Sequence, residues 1–332
     1  MIVYIFLFLI ALFIVIKSAN FLVDGASKIA FLLGVSPFFI GLTIVAFGTS
    51  APELVVSIIS SLKGSTSLAF GNIIGSNIFN IAVILALSAI ISPLPIYSNT
   101  VWKEIPFSFA GAMVVFILGL NKIVDKYNLN QLFLKEKDPI GEITLSKGLI
   151  LLIFFIIFLY YTFGIAKNKT KELDLDDNIK NLSIKKSIFY LAIGFTGLII
   201  GSRLLVQNAI NLAVLLKISE KIIGLTLVAI GTSIPEVATS LVAAFKRNSD
   251  IAVGNVIGSN IFNTFFILGI TSLIKPIPIY FNDLFDLFVM VIVTVILFLS
   301  YFIFHKKVLD RWEGIILTSI YLIYFIYLIK KI

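Results

Sequence analysis

The sequence predicts an all-α membrane protein whose ten transmembrane helices form two inverted five-helix repeats. Of its 332 residues, 59% are hydrophobic and only 13% are charged, whereas a soluble domain carries about 25% charged residues. Apolar runs long enough to cross about 30 Å of hydrocarbon recur along the whole chain. In addition, two long segments of the sequence are repeated at one constant offset.

The apolar runs place the ten helices at roughly 2–22, 37–62, 68–92, 101–120, 147–164, 187–209, 220–245, 251–274, 284–304 and 313–329. The first run is too long for a signal-peptide core and lacks a small-residue cleavage site after it, so we expect a retained helix.

Two stretches, 121–147 and 167–186, are polar and lie outside the predicted helices. The second has mixed charge and no apolar periodicity, which is typical of a linker. It lacks the glycine and the spacing of a calcium-binding loop, so a calcium-sensing role is less favoured. The predicted organisation is therefore a first repeat at 1–166, a charged linker at 167–186 and a second repeat at 187–332.

The repeat is visible in two motifs. GLTIVAFGTSAPE at 41–53 returns as GLTLVAIGTSIPE at 224–236, and GNIIGSNIFN at 71–80 returns as GNVIGSNIFN at 254–263. The offset is 183 residues throughout, and 22 of the 40 aligned positions are identical. Because each half holds five predicted spans, the second half enters the membrane from the opposite side. This inverted arrangement is typical of transporters, with a site near the bilayer midplane between the repeats.

Composition excludes several classes of function. The formal net charge is +8, but basic residues of a membrane protein border lipid headgroups, so we expect a lipid bilayer and no nucleic acid as partner. The chain has no cysteine and one histidine, His305, which excludes thiolate sites and histidine metal clusters. No nucleophile–base set is present, so we expect neither an enzyme nor a cofactor.

Two acidic residues, Glu53 and Glu236, fall in the middle of apolar spans. A carboxylate at membrane depth is unfavourable by several kcal/mol, and such residues are usually functional. The alternative is a protonated glutamate that only packs. Two glutamates at equivalent repeat positions, each in the same polar motif, favour a functional pair.

A proline precedes each glutamate, at Pro52 and Pro235. Proline has no N–H to donate to the carbonyl four residues earlier, and its ring displaces that carbonyl. We therefore predict a break in each motif helix, at 48–50 and at 231–233. Free carbonyls at membrane depth occur only where they line a cavity or are buried in protein, so we expect them to face a cavity or an ion.

Further polar groups share faces with the glutamates. Thr49 and Ser50 lie four and three residues before Glu53, on the same helical face. In the second motif of each repeat, every fourth residue is polar; these residues are Asn72, Ser76, Asn80, Asn255, Ser259 and Asn263. They are either ion ligands or partners in interhelical hydrogen bonds. Glycines spaced four apart, at 71 and 75 and at 254 and 258, predict a close approach of helices.

These candidate ligands are all oxygens, which hard cations prefer. Calcium takes six to eight oxygens in flexible geometry, and magnesium fits less well because it resists dehydration. Sodium suits the same oxygens, and two carboxylates balance one Ca²⁺. An anion would need basic residues, and only Lys17 and Arg203 lie away from the ends of predicted spans.

The paired sequences GTSAPE and GTSIPE, each followed by GN-x-IGSN, resemble the two alpha-repeats of the calcium/cation antiporter superfamily and, within it, the prokaryotic sodium/calcium exchangers. The resemblance implies one calcium position and up to three sodium positions, served by alternating access. It implies that calcium is bound by Glu53, Glu236 and the carbonyls of Thr49 and Thr232. The implied sodium ligands are the carbonyls of Ala46 and Ala229 together with Ser50, Ser76, Ser233 and Ser259. Asn80 and Asn263 would complete the centre.

The resemblance also implies a multi-pass protein of the cell membrane with its N-terminus outside, in which the long first helix of each half slides past the core. No oligomer is required. Some archaeal and potassium-dependent members carry aspartate where this chain has Asn263, so we expect exchange that does not need potassium. If three Na⁺ replace one Ca²⁺, as the resemblance suggests, we also expect exchange to move net charge. Two alternatives remain open: a calcium/proton exchanger of the same superfamily and a passive cation channel.

Overall fold

A computed structural model describes residues 2–95, 103–119, 139–166, 182–216, 229–303 and 308–331. Several sequence predictions fall on residues outside these ranges: most of the polar stretch 121–147, most of the linker 167–186, the start of the helix predicted at 220–245, and His305.

The described residues form helices joined by short strands and turns. The helices are α1 (Ile2–Leu33), α2 (Pro37–Thr49), α3 (Ala51–Leu62), α4 (Thr66–Ile91), α5 (Glu104–Gly119), α6 (Leu145–Ala166), α7 (Ile184–Leu215), α8 (Ala229–Gly231), α9 (Ile234–Phe245), α10 (Ser249–Ile274), α11 (Asp283–Ile303) and α12 (Arg311–Lys331).

The all-helical membrane character is confirmed. Seven helices within the described ranges are long and apolar enough to cross a membrane, and α2 with α3 forms an eighth candidate span bent by 43°. Helix occupies part of every stretch predicted to be one, but α5 and α9 are shorter apolar helices. The count of ten spans therefore stays a prediction.

Both first helices of the halves are longer than the sequence predicted. α1 and α7 each contain 32 residues, or about 48 Å at 1.5 Å per residue, which exceeds the hydrocarbon thickness. The predicted end of the first helix at residue 22 was wrong, because charged residues mark the edge of the apolar layer and not the end of a helix. α1 continues to Leu33 and ends before Gly34, whose φ of 65° is favourable for glycine.

α1 and α7 pack against each other in antiparallel directions. A Cβ at Gly194 would lie 2.8 Å from the Leu22 backbone nitrogen, and one at Gly201 would lie 3.0 Å from Val15. As the residue number rises from Gly194 to Gly201 along α7, the number of the contacted residue in α1 falls from Leu22 to Val15. The two backbones are close enough at these contacts to require glycine. An inverted arrangement of the halves requires this direction, although the complete inverted layout stays a prediction.

Short strands that the sequence did not predict connect the ends of helices. β1 (Leu94–Pro95) pairs antiparallel with β4 (Val308–Leu309), and β2 (Gly141–Ile143) pairs antiparallel with β3 (Ile277–Ile279). Strands of two or three residues are too short to show an alternating apolar pattern.

The centre of the protein is formed by α4 and α10. In each of these two helices, 78% of the most apolar stretch is buried inside the protein. In α1, α6, α7 and α12, the buried share of the corresponding stretch is no more than 28%. α4 packs on α3, and α10 packs on α2 and α9. The helices that carry the repeated GN-x-IGSN sequence are therefore the ones shielded from lipid.

Candidate cation site

The glutamate motif helix of each repeat is broken beside its proline. α2 ends at Thr49, Ser50 adopts φ −80° and ψ 4°, and α3 begins at Ala51. In the second repeat α8 ends at Gly231, and Ser233 adopts φ −87° and ψ 5° before α9 begins. The predicted breaks are confirmed, whereas the direction of the freed carbonyls stays a prediction.

The breaks place the two glutamates at equivalent positions in new helices. Glu53 lies in the first turn of α3, and Glu236 lies in the first turn of α9. Both side chains are only 1% exposed. The N-terminus of a helix carries a partial positive charge, which favours an anionic side chain there.

Hydrogen bonds between the repeats bring the two carboxyl groups together. The Ser50 hydroxyl donates to Oε1 of Glu236 at 3.0 Å, and the Ser233 hydroxyl donates to Oε1 of Glu53 at 3.0 Å. Each serine precedes the glutamate of its own repeat by three residues and bonds the glutamate of the other. The two motifs therefore form one site with a reciprocal arrangement.

The second motif adds two more serines to this site. The Ser259 hydroxyl lies 3.5 Å from Oε1 of Glu236, and the Ser76 hydroxyl lies 3.2 Å from that of Ser233. Both serines are buried. The structure thus brings together all four serines and both glutamates that the sequence singled out.

Four buried oxygens of the predicted ligand set have no hydrogen-bond partner among the described residues. They are Oε2 of Glu53, Oε2 of Glu236, Oδ1 of Asn80 and Oδ1 of Asn263. A buried acceptor without a partner is unfavourable by about 1–3 kcal/mol, and a dehydrated cation would satisfy such oxygens.

The two asparagines lie where their helices widen. A π-helical turn begins at Asn80 in α4, and the π-helical turn Phe262–Ile267 of α10 contains Asn263. Such turns occur frequently at functional sites. The Asn80 amide donates to Oδ1 of Asn260 at 2.9 Å, which holds the side chain while its own oxygen stays unpaired.

The hydroxyls of the two threonines donate to asparagines of the second motif. The Thr49 hydroxyl donates to Oδ1 of Asn255 at 3.0 Å, and the Thr232 hydroxyl donates to Oδ1 of Asn72 at 3.2 Å. Each threonine is thereby connected to the helix that carries the second motif of the other repeat.

The two alanines of the predicted ligand set would contribute only their backbone carbonyls. The Ala46 carbonyl accepts a hydrogen bond from the Ser50 N–H at 3.0 Å, and the Thr49 hydroxyl, which donates to Asn255, lies 3.3 Å from it. A carbonyl oxygen has two lone pairs, so one lone pair of the Ala46 carbonyl remains for an ion. Ala229 begins α8, and its side chain lies outside the described residues.

The structure resolves the two alternatives for Asn72 and Asn255 in favour of hydrogen bonding between helices. Their amides donate to the hydroxyls of Ser57 at 3.2 Å and Ser240 at 2.9 Å, respectively. The sequence reasoning did not single out these serines. They were detectable, because Ser57 and Ser240 are also identical at the offset of 183 residues.

The electrostatics of the site suit a cation. In the part of the chain that the structure describes, neither glutamate forms an ion pair. Lys17 and Arg203 are exposed on the surfaces of α1 and α7. Two closely placed carboxyl groups with hydroxyl and amide oxygens therefore form a buried site of negative character.

An apolar helical fold with a polar site between two broken helices defines a membrane transporter. Residues 3–164 and 186–330 match the family described as sodium/calcium exchanger protein. The chain belongs to this family of antiporters.

The similarity covers nearly the whole chain. It is 33% identical to the sodium/calcium exchanger MaX1 of Methanosarcina acetivorans over 96% of this chain and 97% of that protein. The inner membrane protein YrbG of Escherichia coli is 33% identical over 81% and 79%. A solved structure of the sodium-calcium exchanger NCX_Mj, soaked without Na⁺ and Ca²⁺, has a TM-score of 0.81 and 33% identity, covering 98% of this chain and 99% of that one.

Proposed function

We propose that the protein is a secondary active antiporter of the cell membrane that exchanges Na⁺ for Ca²⁺ by alternating access, with its N-terminus outside. The observation that carries the proposal is the set of four buried, unpaired oxygens on two glutamates and two asparagines. The family membership supports the same ions, as do the similar NCX_Mj structures, which were soaked with Na⁺ or with Na⁺ and Ca²⁺.

Calcium would lie between the two glutamates, since two carboxylates balance its charge. Flexible coordination by six to eight oxygens accommodates the proposed calcium ligands, which are Glu53, Glu236 and the carbonyls of Thr49 and Thr232. The proposed sodium ligands are Ser50, Ser76, Ser233, Ser259 and the carbonyls of Ala46 and Ala229, and the centre is completed by Asn80 and Asn263.

Coupling follows from shared ligands. Sodium and calcium would use the same two carboxylates, so one ion displaces the other. A site with Ca²⁺ on two carboxylates is neutral, whereas three Na⁺ leave it with a charge of about +1, so exchange would be electrogenic. Asn263 supplies an oxygen without a third negative charge, which supports exchange without K⁺.

Alternating access would use the long pair α1 and α7. Glycines line their mutual interface, and much of their surface faces lipid. A single side-chain salt bridge, between Lys246 and Asp24 at 2.6 Å, connects α1 to the residue after α9 among the described residues. The pair is therefore proposed to move as one body past the core.

The test is calcium-45 uptake into proteoliposomes loaded with sodium and diluted into sodium-free medium, with the potential clamped by an ionophore. Uptake should require the outward sodium gradient, respond to voltage and be unchanged by K⁺. Glu53→Gln and Glu236→Gln should each abolish uptake, because the charge of Ca²⁺ is then only half balanced.

Glu313→Gln is the matched control. Glu313 is a buried glutamate outside the site whose carboxylate accepts the Asp310 N–H at 3.1 Å, and glutamine keeps an acceptor there. It should retain uptake. Near-normal uptake by either site variant would refute the assignment. Uptake that follows a pH gradient and ignores sodium would indicate a calcium/proton exchanger, and uptake without any ion on the opposite side would indicate a channel.

A further inference from the structure

Two asparagine amides outside the set of predicted ligands connect the broken helices to each other. Asn255 of α10 accepts from Thr49 at the end of α2 and donates to Ser240 in α9. Asn72 of α4 accepts from Thr232 and donates to Ser57 in α3. Each amide thus joins the broken helix of one repeat to that of the other.

We propose that Asn72 and Asn255 are positioning residues, which set ion affinity by holding the two helix breaks in register without contacting the ion. This inference rests on the proposed function. Both ends of each amide are engaged with protein partners, and neither amide oxygen is among the buried unpaired oxygens of the described residues that a cation would satisfy.

The hydrogen bonds of Asn255 and Asn72 act on the glutamates through neighbouring residues. Thr49 directly precedes Ser50, whose hydroxyl bonds Glu236 in α9 at 3.0 Å. The chain Thr49–Asn255–Ser240 therefore fixes the same two helices that the Ser50–Glu236 bond joins. In the other repeat, the Asn72 amide also lies 3.4 Å from the carbonyl oxygen of Glu53 itself.

The Thr49 hydroxyl has one proton and two acceptors within reach, Oδ1 of Asn255 at 3.0 Å and the Ala46 carbonyl at 3.3 Å. Without Asn255, the hydroxyl would donate into its own helix and the connection between the repeats would be lost. The Thr49 hydroxyl would still have an acceptor, the Ala46 carbonyl of its own helix. The expected consequence is a looser site within a folded protein.

The experiment is a double-mutant cycle on the calcium concentration at half-maximal uptake, with the calcium-dependent shift of the unfolding temperature as a second readout. Thr49→Val and Asn255→Leu preserve side-chain volume. Thr49→Val removes one hydrogen bond and Asn255→Leu removes two, but each interrupts the same link between the repeats. Each should therefore raise the half-maximal concentration about three- to tenfold. Because both remove the same link, the double variant should be no worse than the weaker-binding single variant.

Three comparisons separate positioning from general packing. Thr49→Val combined with Asn72→Leu breaks both links, so these effects should multiply. Thr294→Val removes a buried hydroxyl that bonds the Met290 carbonyl of its own helix at 2.8 Å, and it should leave calcium affinity unchanged. Thr49→Ser, which keeps the hydrogen bond, should lie closer to wild type than Thr49→Val.

Unchanged calcium affinity with a lower unfolding temperature would overturn the proposal, because it would show packing alone. Effects of Thr49→Val and Asn255→Leu that multiply would also overturn it. If Asn255→Leu does not fold, Ser240→Ala replaces it in the same cycle. A wild-type protein that is stabilised by calcium but shows no sodium-driven uptake would refute the proposed function and leave the positioning role to be decided by the thermal shift.

Discussion

Gly258 lies at the closest contact between the core helix α10 and the first part of the broken helix, α2. A Cβ built on Gly258 would lie 2.4 Å from the Leu42 carbonyl oxygen and 2.7 Å from the Ala46 Cβ. Ordinary contacts begin at 3.4 Å, so Gly258→Ala must separate the two helices by about 1 Å (3.4 minus 2.4). The obstacle is mainly backbone, which cannot rotate away as a side chain can.

We expect Gly258→Ala to lower the free energy of unfolding by about 1–3 kcal/mol, the usual effect of overpacking a dense core. It should also weaken the binding of both ions. α2 leads directly to Thr49 and Ser50, and a displacement of about 1 Å exceeds the roughly 0.5 Å within which a binding site must be held.

The assay is thermal unfolding of the purified protein without ions, together with the sodium and calcium concentrations at half-maximal exchange. Gly164→Ala is the control: Gly164 lies on an exposed face of α6 with no described heavy atom within 4 Å of its built Cβ, and alanine favours a helix there by about 1 kcal/mol. The reasoning is refuted if Gly258→Ala unfolds like wild type and binds both ions normally.

Two further outcomes follow from the site and its surroundings. Calcium at a hundred times its dissociation constant should stabilise the protein against thermal unfolding by about 2.7 kcal/mol. This stabilisation should disappear in Glu236→Gln. If it persists in that variant, calcium binds elsewhere. Lys246→Gln should reduce the free energy of unfolding by less than about 1 kcal/mol. The side chains of Lys246 and Asp24 are 31% and 25% exposed, and an exposed ion pair contributes little to stability. A loss above about 2 kcal/mol in chemical unfolding would contradict this expectation.

Much of the protein can be predicted from the sequence because the relevant signals are local. Apolar runs reveal the helices, since each must match the bilayer by its own composition. Pro52 and Pro235 predict the breaks, because a missing N–H acts on a carbonyl only four residues away. The two glutamates stand out because an intramembrane carboxylate is unfavourable without a role.

Only the tertiary structure decided which polar residues face each other. Asn72, Asn80, Asn255 and Asn263 share one spacing and one amide chemistry. Yet the amide oxygens of Asn72 and Asn255 accept hydrogen bonds from the other repeat, whereas those of Asn80 and Asn263 stay unpaired among the described residues. The helical period places all four on comparable faces and cannot tell them apart. The partner of Thr49 lies 206 residues away along the chain, and such a contact depends on how the two repeats pack, which local periodicity does not encode.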